Sequence, residues 1–167
     1  MSKEIKTNAM RFLESKKIEY KMNTYECDEF IDGITCANAM KQPLNETFKT
    51  LIAHGKSGSY YCFLLPVALE LDLKKAAKSV GEKSVELLHV KDITKVTGYV
   101  RGGCTPIGMK KQFMTVINSS AESLELFYIS GGKIGTQMQL SPKELVKAIS
   151  GKFDDIIANV DTAEKYK

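Results

Sequence analysis

The chain reads as an α+β protein built on a curved, mixed and mainly antiparallel sheet. Two observations predict this class. Short apolar runs alternate at strand period and come mostly as neighbouring pairs divided by turn residues. Amphipathic helical segments are interspersed among them without following every strand, which argues against a regular parallel βαβ array. The 167 residues contain no internal repeat, linker or low-complexity tract. A single domain spanning 1–167 is the expectation, long enough to bury a core without disulfide staples.

The elements follow in order. Ile5, Ala9, Phe12 and Leu13 fall at helical spacing and give an opening amphipathic helix that ends near Lys17. In "IEYKMNTY", Ile18, Tyr20, Met22 and Thr24 alternate with Glu19, Lys21 and Asn23, the pattern of a strand with one wet face. "GITCANAMKQ" reads as a short helix stopped by Pro43. "TFKTLIAH" and "SYYCFLLP" form a hairpin around "GKSG". "LDLKKAAKSVG" is a helix with Asp72 as N-cap and Gly81 at its stop. A strand, "VELLHV", and a helix, "KDITKVTG", lead into the glycine-rich "YVRGGCTPIGMKK". Three strands come next, "FMTVIN", "LELFYIS" and "IGTQMQL", with "GGK" in the last turn. "SPKELVKAIS" closes as a helix, with Ser141 as cap, Pro142 in the first turn and Glu144 completing a capping box.

Composition narrows the function classes. Apolar content of 43% and charged content of 26% are ordinary for a globular protein. No apolar run approaches the ~20 residues of a membrane span. The N-terminal "MSKEIKTNAMRFLESKK" lacks the apolar core of a signal peptide, so a cytoplasmic protein is expected. Cys27, Cys36, Cys62 and Cys104 are irregularly spaced and the two histidines are His54 and His89, a set that does not suggest zinc. The net charge of +4 permits an anionic partner without requiring one.

Three features carry chemistry. The first is "YVRGGCTPIGMKK", Tyr99 to Lys111. It is not a phosphate-binding loop, since Met109 stands where that motif needs lysine and Pro106 has no N–H. Gly102 and Gly103 let a substrate approach the backbone closely, and N–H groups aimed at one point make an oxyanion hole. On that view Gly102→Pro, which deletes an N–H, costs far more than Gly103→Ala. Cys104 is either a nucleophile or a small packing residue. Packing is preferred, because a thiol needs a base and only two histidines exist. The second feature is Lys49, which the strand period puts on one face with Leu51 and Ala53. A lysine there either escapes to an edge or faces a cavity holding something anionic or carbonyl-like. The third is a set of polar residues that border strands: Tyr25 in "NTYECD" and Ser130 in "YISGGK". From the residues alone Tyr25 reads first as a half-buried packing tyrosine and Ser130 as a turn residue.

The segments "NTYE", "FKTL", "PV" followed by "LDLKKAAK", "TGYVRGGCTPIG", "YISGGK" and "FDDIIA", in this order and spacing, resemble the YbaK family of aminoacyl-tRNA deacylases. The resemblance runs from about Thr7 to Ile157. It implies a twisted, barrel-like mixed sheet surrounded by helices, the fold of the prolyl-tRNA synthetase editing domain. It also implies hydrolysis of Cys-tRNA(Pro), extending to Cys-tRNA(Cys), without cofactor, metal or protein nucleophile. The lysine matched by Lys49 holds the substrate, the amide matched by Gly102 supports the oxyanion, and the substrate's own thiol attacks its ester. Tyr25, Gly103, Ser130 and Gln137 match positions that line the pocket. Aminoacyl-tRNA is the implied partner, with prolyl-tRNA synthetase as a further one and no membrane. Editing of another small residue such as alanine, and a non-catalytic RNA-binding module, are the rival readings. Gln137 and Gln139 depart from the family, which typically has carboxylates there. An amide still hydrogen-bonds an ammonium or hydroxyl, but without charge.

Overall fold

A computed structural model of the chain describes residues 6–24, 37–38, 41–100, 103–109 and 111–158. The opening helix, α1 (Asn8–Ser15), is capped by Thr7, whose Oγ1 accepts from the Met10 N–H at 3.2 Å. The Thr7 N–H is returned to Met10 Sδ at 3.5 Å, so a thioether takes the place that a carboxylate usually fills. Ala9, Met10 and Leu13 form its buried face. The helix expected over 33–42 lies mostly outside the described residues; within it, Ala37 and Asn38 are helical.

The strands build two sheets. The first comprises β1 (Tyr20–Thr24), β6 (Phe127–Ser130) and β7 (Thr136–Leu140), in the order β1-β7-β6 and antiparallel throughout. The second contains β2 (Phe48–Gly55), β3 (Tyr60–Pro66), β4 (Val85–Leu87), β5 (Met114–Asn118) and β8 (Lys152–Asp154), in the order β4-β2-β3-β5-β8. Its β4, β2 and β3 are antiparallel, whereas β3–β5 and β5–β8 are parallel. The crossover from β3 to β5 carries α2 (Leu73–Ser79) and α3 (Val90–Thr97). A parallel bridge between Thr47 and Tyr128 joins the two sheets. Beside it the rings of Phe48 and Phe127 meet edge to face at 5.2 Å. The strands are mixed and mainly antiparallel, as expected, but among the described residues no closed barrel forms: strand pairing ends there at β1 on one side and at β4 and β8 on the other.

Alternation decides what is buried. Ile129, Met138, Leu140, Phe48 and Leu64 point inward with Met10, Leu13 and, from α4 (Pro142–Ile149), Leu145. On the other face of the five-stranded sheet, Ala53, Phe63 and Val116 pack on Ala76 and Ala77 of α2. A fully buried Phe or Leu side chain contributes about 1.5–3 kcal/mol. The caps follow the sequence. Asp72 Oδ1 accepts from the N–H groups of Lys74 and Lys75 at 2.9 and 3.0 Å, and Ser141 Oγ accepts from Glu144 at 3.3 Å. The latter is half of the expected capping box.

Strand β8 is not anticipated by the sequence reading. The segment around it, "FDDIIA", is fastened from two sides. Buried Asn118 accepts from the Ile156 N–H at 3.2 Å, and the Asp72 N–H donates to Ile156 O at 2.9 Å. Lys75 Nζ reaches Asp155 at 3.0 Å and Ile157 O at 2.9 Å.

Candidate active site

The edge of β2 turned away from β3 has two partners that part from each other. At its start it meets β6 through Thr47 and Tyr128; from Ala53 to Gly55 it pairs with β4, and the Leu88 N–H bonds Ile52 O at 2.8 Å. Lys49 lies where the two partners diverge. Two residues beyond the bridge, along each strand, come Lys49 on β2 and Ser130 on β6. Side chains repeat every second residue along a strand, so both share the face of the bridged pair. Ser130 is opposite Gln137 on β7, and Gln137 is opposite Asn23 on β1. Lys49, Ser130, Gln137 and Asn23 therefore form one polar, half-buried row, back to back with the buried Ile129 and Met138.

The glycine-rich loop reaches the turn that follows Ser130. Gly98 ends α3 in the left-handed conformation, φ 87°. Tyr99 then braces the loop: its N–H donates to Thr97 Oγ1 at 3.0 Å and its hydroxyl donates to Ile107 O at 2.8 Å. Gln112 Nε2 holds the far stem through Pro106 O at 3.0 Å. Gly108, at φ 70°, passes so near α1 that a Cβ there would meet Ala9 N at 2.7 Å. A Cβ on Gly103 would meet Lys133 Cα at 2.8 Å, which places this glycine directly on the turn that follows Ser130. That turn is itself tied down. Ser130 Oγ accepts from the Gly132 N–H at 3.3 Å, and Thr7 Oγ1 donates to Gly131 O at 2.6 Å.

The structure thus puts Lys49, Ser130 and Gln137 on one face, and Gly103 against the Lys133 turn that follows Ser130. Tyr25 and Gly102 lie outside the described residues. Gly103 differs from the expectation in one respect: its N–H donates to Val100 O at 3.0 Å, so it is committed within the loop. Its contribution is the close approach to Lys133, not a second donor aimed at a substrate. The braces Thr7 and Tyr99 are missed by sequence reading. Tyr99 had a signal in its place between the helix stop and the glycines, whereas Thr7 reaches Gly131 across the whole chain.

Cys104 is buried beside Ile52, Cys62 and Tyr99. Burial pushes its thiol up to about 11, against smaller opposing effects of the Thr97 side chain and the Thr105 backbone. Cys62, fully buried, is likewise pushed well up by burial, with Met109 Sδ at 3.8 Å from its sulfur. His54 is partly exposed at the other end of β2, 3.8 Å from Glu86. Both thiols are packing residues in character, as the sequence reading preferred for Cys104.

Comparison with known proteins identifies the family. The model of the aminoacyl-tRNA editing domain matches residues 34–148. A relative from Enterococcus faecalis, named "Putative Cys-tRNA(Pro)/Cys-tRNA(Cys) deacylase EbsC", is 40% identical over 152 residues, covering 90% of this chain and 93% of its own. Among solved structures, "a putative trans-editing enzyme for prolyl tRNA synthetase" superposes with a TM-score of 0.78 at 21% identity, over 93% of this chain and all of its own. "Hypothetical protein APE2540" gives 0.83 at 20% identity, over 90% and 99%. At such low identity these two structures speak for the fold alone. The family match and the 40% relative together establish that the chain belongs to the aminoacyl-tRNA editing domain family.

Proposed function

We propose that the protein is a deacylase that hydrolyses Cys-tRNA(Pro) and Cys-tRNA(Cys) in trans, working in the cytoplasm. The observation that carries this reading is the row of Lys49, Ser130 and Gln137 at the divergence of β6 and β4, with Gly103 against the Lys133 turn that follows Ser130. Family membership supports aminoacyl-tRNA as substrate, and the 40% relative's name supports the amino acid.

The chemistry assigned to the site asks little of the protein. The cysteine sulfur of the substrate attacks its own ester carbonyl and forms a C–S bond. The C–O bond to the ribose breaks, and the thiol proton ends on the departing 3′-oxygen. The product is a cyclic thioester that water then opens. Lys49 holds the aminoacyl end, the Gly102 N–H meets the oxygen on which charge develops, and Tyr25, Ser130 and Gln137 border the amino acid. Holding sulfur and carbonyl in line supplies most of the acceleration in an intramolecular attack, and one oxyanion donor adds about 10²–10³-fold. Gln137 offers the α-ammonium an uncharged acceptor, so affinity for it is modest. Prolyl-tRNA synthetase is the proposed partner that presents the tRNA.

Lys49→Ala tests the assignment. Deacylation of Cys-tRNA(Pro) should be lost, with circular dichroism unchanged. Near-wild-type turnover by the folded variant would remove Lys49 from the site.

A further inference from the structure

A concavity of about 720 Å³ opens beside the glycine-rich loop. Both stems of the loop line it: Lys95 at the end of α3, and Lys111, Gln112 and Phe113 leading into β5. The first residue of β3, Tyr60, completes the wall; it is 38% exposed and its ring lies 5.4 Å from that of Phe113. Lys95 and Lys111 are exposed, and Met114 adds exposed apolar surface.

An exposed aromatic ring, backed by a second and flanked by two ammonium groups, offers a base a stacking face and its phosphates two cations. We propose that this cleft binds the single-stranded 3′ end of tRNA, upstream of the aminoacylated nucleotide. Tyr60 stacks a base while Lys95 and Lys111 take phosphates. The inference rests on the deacylase reading for its choice of RNA. Because the cleft is made from the stems of the loop that carries Gly102 and Gly103, RNA held there positions the ester against that loop.

The test is binding of fluorescent uncharged tRNA(Pro) to the full chain, with Cys-tRNA(Pro) deacylation measured separately. Tyr60→Ala should weaken affinity by about 5- to 150-fold and raise KM without lowering kcat. Tyr60→Phe should restore both. Lys95→Glu with Lys111→Glu should flatten the dependence of log Kd on log salt by about 1.4, the share of two single-strand phosphate contacts. A tRNA trimmed of its single-stranded 3′ end should bind wild type and Tyr60→Ala alike. Unchanged tRNA affinity in Tyr60→Ala and in the double lysine variant would overturn the site. Absence of turnover alongside intact cleft-dependent binding would instead strike the deacylase reading alone.

Discussion

Gly103→Ala is the perturbation whose outcome the structure most sharply revises. The sequence alone makes it the mild companion of Gly102→Pro. An ideal Cβ on Gly103, however, falls 2.8 Å from Lys133 Cα and 3.1 Å from its N and C, where ordinary contact begins at 3.4 Å. These are backbone atoms of a turn already fixed by Thr7 and by Thr136, to which the Gly131 N–H donates at 2.8 Å. Loop and turn must therefore part by about 0.6 Å. Misplacing reacting groups by ~1 Å costs about 10²-fold, so kcat should fall by roughly 10- to 10²-fold. Overpacking of this kind costs about 1–3 kcal/mol, or ~2–4 °C of Tm per kcal/mol in a chain of this size. Steady-state deacylation of Cys-tRNA(Pro) and thermal unfolding measure the two effects. Gly81→Ala is the control: φ 73° strains it, nothing lies within 4 Å, and it follows α2 rather than belonging to the loop. It should lower Tm and leave kcat intact. A Gly103→Ala protein with wild-type kcat would refute the claim that this contact sets the loop against the site.

Two further outcomes follow from the buried and turn-bound titratable groups. Cys104→Ala should keep most of the turnover, and in both proteins the rate should rise with pH as the substrate thiol, near ~8.5 when unperturbed, ionises; loss of activity with folding intact would make Cys104 the nucleophile. Glu82 accepts from the Ser57 hydroxyl and from Tyr61 OH at 2.6 Å, which hold its carboxyl below 4.5. A depressed folded value means that its stabilisation is present above 4.5 and is lost as pH falls through the folded value. Glu82→Gln should accordingly show a smaller drop in urea midpoint than wild type between about pH 7 and about pH 3.5; an equal drop would contradict the linkage.

Local chemistry made much of this legible in the sequence. Asp72, Ser141 and Gly81 announce helix ends through their own side chain or lack of one, and the structure uses each as read. Lys49 stood out because a cation interrupts an apolar strand. Its neighbours were hidden for a physical reason: which residue stands opposite Ser130 depends on the register across a turn, which periodicity does not specify. The contact of Gly103 with Lys133 joins loops distant in sequence and leaves no local trace. Strand β8 escaped because Lys152, Phe153 and Asp154 are all half-buried, without the alternation that marks a strand, and its pairing with β5 is parallel and nonlocal. Family resemblance, not pattern, brought Gln137 into the site.

Rates on Cys-, Ser- and Ala-tRNA(Pro), all carried on one tRNA, test the central claim most directly. If the substrate thiol is the nucleophile, Cys-tRNA turns over fastest. Ser-tRNA enters the pocket but reacts slowly, because a neutral hydroxyl attacks far less readily than a thiolate. Ala-tRNA, with no nucleophile, is slowest or inert, and the weaker hold of uncharged Gln137 raises KM without reversing this order. Rapid hydrolysis of Ala-tRNA beside little of Cys-tRNA would contradict the account and give the site to an activated water.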